Sequence, residues 1–112
     1  MSQVTTHILD TAVGHPAGGI TVVLYYGEND EWTEIARGTT NKDGRVTDLL
    51  ARSHLLAQGI YKMRFETKDY FDRIPVRTFY PYVEIIFDIT SNEHFHIPLL
   101  ISPFGYTTYR GS

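Results

Sequence analysis

The chain has no cysteine. Disulfides, thiolate metal sites and a cysteine nucleophile are therefore excluded. It also lacks an excess of positive charge: ten Lys+Arg stand against thirteen Asp+Glu, a net charge of -3. Binding to nucleic acid rests on clustered basic residues that meet phosphates, and no basic run occurs, so no nucleic-acid partner is expected. No stretch approaches the roughly 20 consecutive apolar residues of a membrane span, so no membrane partner is expected either. The opening "MSQVTTHILDTAVGHPAGG" has no basic leader followed by an apolar run, and the chain does not end in Ser-Lys-Leu. The expectation is a soluble, cytoplasmic protein.

What is present points to sheet. The 112 residues include eight Tyr and six Phe, and aromatic and β-branched residues suit a pleated, half-buried surface. This length fits one domain over residues 1–112. A chain of this size buries roughly two thirds of the surface its unfolded form exposes, enough for one core without staples.

Short strand-like runs alternate with turn clusters, the pattern of a sandwich or barrel. The runs are 4–10, 20–26, 31–40, 60–67, 82–90, 94–102 and 106–111, with a short extended piece at "RVTDLL". "GEND" and "NKDG" read as turns, with Gly44 suited to positive φ. "ARSHLLAQG" reads as a loop or ragged helical turn, and "KDYFDR" (68–73) as a short helix stopped before Pro75.

Successive strand side chains point to opposite faces, so alternation sorts the polar residues. In "HFHIPLLIS", Phe95, Ile97, Leu99 and Ile101 form the core row, and His94, His96, Pro98 and Leu100 the outer one. In "VTTHILD", Thr5, His7 and Leu9 share a row opposite Val4, Thr6 and Ile8. Outer rows that mix histidine with leucine imply a covering surface such as a second subunit. Pro98 removes a ladder donor and is expected at an edge or bulge. His94 and His96 together suggest a metal pair, but carboxylates at matching spacing are missing, so no metal site is expected. A lone strand histidine is ordinarily a surface group, and "TTYRG" alone reads as a plain closing strand.

Three stretches taken together say more. "TTHILDTAVGHPAGGI", "TTNKDGRVTDLL" and "HFHIPLLISPFGYTTYRGS" occur in this order across nearly the whole chain. They resemble 5-hydroxyisourate hydrolase, the enzymatic branch of the transthyretin-like proteins. The departures, Phe95 and Phe104 where tyrosine or tryptophan is also common, touch no catalytic position.

The resemblance implies an all-β, transthyretin-like sandwich of two four-stranded sheets with one short helix, assembled as a homotetramer (a dimer of dimers). Its active sites would lie at the mouths of a central channel. It implies hydrolysis of 5-hydroxyisourate to 2-oxo-4-hydroxy-4-carboxy-5-ureidoimidazoline in urate degradation, without a cofactor. Carried over by motif, the catalytic residues are His7, Arg45, His96 and Ser112, and the substrate-binding residues His7, Arg45, Tyr109 and Arg110. In such a site the histidines activate and place a water, since imidazole titrates near working pH. Arg45 grips the anionic purine-derived substrate and its oxyanion. Tyr109 positions the ring, and Ser112 completes the water network by hydroxyl or terminal carboxylate. If the last strand stays regular, Tyr109 faces the histidines and Arg110 braces the terminus from behind.

The alternative is a carrier of the transthyretin type, holding a small aromatic ligand such as thyroid hormone in the central channel. His7, His96 and Tyr109 speak against it, because carriers replace them to open a deeper, more apolar channel. A zinc hydrolase built on His94 and His96 would lose activity to chelators, and no such loss is expected.

Overall fold

Nine strands and one helix build two sheets in a computed structural model that describes residues 2–112. The first sheet is ordered β2(His15–Pro16), β1(Val4–Asp10), β8(Phe95–Ser102), β9(Gly105–Thr108), with β5(Arg45–Val46) also paired to β1. The second is ordered β4(Glu31–Thr39), β3(Thr21–Glu28), β6(Gly59–Phe65), β7(Val83–Ile89). The fifth strand of the first sheet comes from counting the two-residue pieces β2 and β5, of which β2 falls in a stretch whose sequence reads as turn.

Alternation places the core as the sequence predicts. Val4, Thr6 and Ile8 of β1 are buried, as are Phe95, Ile97, Leu99 and Ile101 of β8. They meet Val22 and Leu24 of β3 and Tyr61, Met63 and Phe65 of β6 in one apolar cluster. Each fully buried apolar side chain of this kind contributes about 1.5–3 kcal/mol relative to exposure. The β3–β4 hairpin turns through Asn29 and Asp30, both at positive φ (53° and 62°), the pairing of dihedrals whose twist matches that of the flanking strands.

The helix α1(Thr67–Arg73) buries Tyr70 and Phe71. Asp69 in its first turn and Arg73 in its last complement the helix dipole. It stops because Pro75 has no amide hydrogen to offer the Phe71 carbonyl. That carbonyl accepts from the Val76 N–H instead, at 2.7 Å. The Tyr70 hydroxyl donates to Asp10 Oδ2 at 2.7 Å and ties the helix to β1. Among the described residues, no helix is long and apolar enough to cross a membrane.

Pro98 is not at a sheet edge. It lies in β8 between β1 and β9, opposite His7 of β1. On its other side the β8–β9 ladder runs to the pair Leu99 and Thr108, then resumes only as a bridge between His96 and Gly111 in the same register. The interruption faces the proline because its nitrogen cannot donate to the ladder. The Pro98 carbonyl still accepts from Thr108 Oγ1 at 2.7 Å.

Candidate active site

Four segments far apart in sequence meet on the outer side of β1. The parallel pairing of β1 with β8 sets Thr5 beside His96 and His7 beside Pro98. The turn at 41–44 then delivers Arg45 opposite His7. This turn closes because Asn41 Oδ1 accepts from the amides of Asp43 (2.9 Å) and Arg45 (3.1 Å). Gly44 takes φ +74° and packs so tightly on the Ile8 carbonyl that a Cβ has no room. Its own carbonyl accepts from the Ile8 amide at 2.8 Å, which pins the turn to β1. Finally, the Gly111 N–H donates to the His96 carbonyl at 2.8 Å and brings the C-terminal residues against β8.

The result is a cleft of about 400 Å³ lined by Arg45, His96 and Ser112 together with Thr5, Thr47, Asp48 and His94. Three of the four residues expected to be catalytic therefore share one space. His7 is half-buried beside it, paired across the strands with Arg45.

The electrostatics favour neutral imidazoles. Burial is the main cause that holds His96 below the ordinary histidine value, followed by the Arg45 cation and then by His94 and His7. His7 is lowered in the same way, first by burial and then by Arg45, against an opposing pull from the Asp43 backbone and carboxylate. A neutral imidazole beside a permanent guanidinium supplies a base for water and a cation for a developing oxyanion. That pairing suits the addition of water to a carbonyl.

Tyr109 and Arg110 line a neighbouring cavity of about 450 Å³ that His96 also borders, together with Phe87, Asp88, Phe95 and Thr108. Arg110 lies behind the histidine row, against Phe95 of the core row, and the His96–Gly111 bridge keeps the register of the β8–β9 ladder although β9 itself ends at Thr108. Arg110 pairs with Glu93, and its guanidinium carbon lies 4.7 Å from the centre of the Phe95 ring. Tyr109 and Arg110 immediately precede Gly111 and so lead the chain into its bridge with His96.

Sequence reasoning passed over Thr5, Thr47 and Asp48. Thr5 was visible as the row-mate of His7, whereas Thr47 and Asp48 sit in an irregular stretch that carries no periodic signal. His94 and His96, grouped by alternation as a metal pair, turn one nitrogen each toward the Thr5 hydroxyl: His94 Nε2 and His96 Nδ1 both lie 2.8 Å from it.

Fold and cleft together define a two-sheet sandwich of the transthyretin type whose outer face carries a polar, cationic and imidazole-bearing site. The chain belongs to the HIUase/Transthyretin family, whose family model matches residues 4–111. The 5-hydroxyisourate hydrolase of Mus musculus is 46% identical over 114 residues, covering 99% of this chain and 96% of that one. The structure of Klebsiella pneumoniae 5-hydroxyisourate hydrolase superposes with a TM-score of 0.85 at 38% identity, covering 97% of this chain and 98% of that one. Sea bream transthyretin in complex with thyroxine superposes with a TM-score of 0.91 at 31% identity, covering 98% of this chain and 95% of that one. The transthyretin-like fold implied by the sequence motifs is therefore the fold of this protein.

Proposed function

We propose that this protein hydrolyses 5-hydroxyisourate to 2-oxo-4-hydroxy-4-carboxy-5-ureidoimidazoline, a step of urate degradation. The observation that carries the reading is the meeting of His96, Arg45 and Ser112 in one cleft, with His7 alongside. His96 takes a proton from water, and His7, beside Arg45, assists in placing it or in returning a proton to the leaving nitrogen. Arg45 holds the anionic substrate and the tetrahedral oxyanion through its planar donor fork. Ser112 completes the water network. Tyr109 and Arg110 serve the substrate site by steering the terminus that carries Gly111 and Ser112.

The test uses 5-hydroxyisourate generated fresh with urate oxidase and followed optically as it decays. His96→Asn should lower the rate on the order of 10²–10⁴-fold, the usual worth of a placed general base. A folded His96→Asn protein that turns over at the parent rate sinks the assignment.

The carrier reading draws on the likeness to sea bream transthyretin. A shared sandwich does not separate the two activities, since the hydrolase superposes on it as well. What favours the hydrolase is the arginine and two histidines that line the cleft, groups suited to adding water to a carbonyl. Direct titration with an iodinated phenol, run beside the turnover assay, distinguishes them; turnover without tight binding removes the carrier.

Assembly as a homotetramer belongs to the same proposal. Exposed Phe79, Ile86, Phe104 and Tyr109, which are 71%, 63%, 66% and 60% accessible in the single chain, supply apolar surface for subunit contacts.

A further inference from the structure

The Thr5 hydroxyl lies 2.8 Å from His96 Nδ1 and 2.8 Å from His94 Nε2. The two rings lie nearly parallel, 24° apart with centres 6.3 Å from each other. A hydroxyl has one proton to give. When it donates to one of these nitrogens it accepts from an N–H on the other, which couples the tautomers of the two imidazoles.

Two neutral arrangements keep the hydroxyl proton within the chain, and a third, in which both rings donate to the hydroxyl's two lone pairs, also leaves His96 as Nδ1–H. In one of the two, His94 Nε2–H donates to Thr5 and Thr5 donates to His96 Nδ1. The proton of neutral His96 is then on Nε2, and the ring has no free basic nitrogen. In the other, His96 Nδ1–H donates to Thr5 and Thr5 donates to His94 Nε2, which leaves His96 Nε2 with its lone pair.

We propose that Thr5 and His94 are positioning residues that hold His96 as the Nδ1–H tautomer and so make Nε2 its basic nitrogen. This rests on the role given to His96 above. One further feature supports it. Thr5 is itself fixed, because its strand pairs in register with His96 on one side of a continuous seven-residue parallel ladder.

The test reads tautomer and rate separately. In ¹⁵N-labelled protein above the histidine titration range, long-range ¹H–¹⁵N correlations should show His96 as Nδ1–H. In Thr5→Val the Nε2–H form should grow and kcat should fall by about 10–100-fold, the usual effect of losing the hydrogen-bond partner that orients a functional imidazole. Thr5→Ser, which keeps the hydroxyl, should restore both. His94→Phe should move the tautomer in the same direction as Thr5→Val. A wild-type His96 found as Nε2–H overturns the proposal and needs no variant. So does a Thr5→Val protein at the parent rate while His96→Asn is inactive. If His96→Asn itself keeps the parent rate, the catalytic reading of His96 fails, and the tautomer spectra still decide whether Thr5 sets the ring.

Discussion

Gly111 offers the sharpest test of how the terminus serves the cleft. A Cβ built on it meets His96 Cδ2 at 2.5 Å and Pro98 Cγ at 3.1 Å. Carbon atoms in good contact sit about 3.5–4.0 Å apart, so Gly111→Ala requires a movement of about 1 Å. The backbone at Gly111 lies outside the left-handed region, so alanine adopts it without strain and the perturbation is the contact alone. Two routes relieve it. The imidazole can turn, against its 2.8 Å hydrogen bond to Thr5. Otherwise the last residues lift, which stretches the 2.8 Å bond from the Gly111 N–H to the His96 carbonyl and withdraws Ser112 from the cleft. Either route misplaces a reacting group by about 1 Å, a displacement that costs on the order of 10²-fold in rate. We expect kcat/KM for 5-hydroxyisourate to fall by that order while the thermal melt stays close to that of the parent. A Gly111→Ala protein with parental kcat/KM refutes the idea that the terminus must lie flat on His96.

Two other outcomes follow from the same geometry. Burial and then Arg45 lower both His7 and His96 from the ordinary histidine value of 6.5, so the basic form persists to lower pH than in a free histidine. The acid limb of kcat/KM should have its midpoint below 6.5; a midpoint at or above that value contradicts the neutral-imidazole site. Folding stability should follow the same sign: the unfolded chain takes up protons first as pH falls through 6.5, so stability declines from there toward the lowered folded values. Away from the cleft, Asp10 is 1% exposed and accepts from the Tyr70 hydroxyl at 2.7 Å and the Ala12 amide at 3.0 Å. Tyr70→Phe strands one of its oxygens and should cost about 1–3 kcal/mol, read as a lower urea midpoint at unchanged slope. An unchanged midpoint would mean that this hydrogen bond does not hold α1 to β1.

Local chemistry made much of this protein legible in its sequence. Period-two alternation separates Phe95, Ile97, Leu99 and Ile101 from His94 and His96 because a strand must turn successive side chains to opposite faces, whatever its neighbours are. "NKDG" announces a turn because asparagine caps its own backbone and glycine accepts positive φ. "KDYFDR" reads as a short helix whose end is marked by the proline beyond it. The motifs around His7, Arg45, His96 and the last four residues named the family. None of this says which remote segments meet. Thr5 and His96 are 91 residues apart, and only the parallel register of β1 on β8, set by packing the two core rows together, puts the hydroxyl beside the ring. The end point of the last four residues was also beyond reach of alternation. Pro98, on the neighbouring strand, lacks an amide hydrogen and interrupts the ladder, and only the His96–Gly111 bridge brings Ser112 to the cleft. Side-chain alternation is a property of one strand, fixed by its own backbone; which remote groups a side chain meets depends on the register its neighbours adopt in the packed sheet.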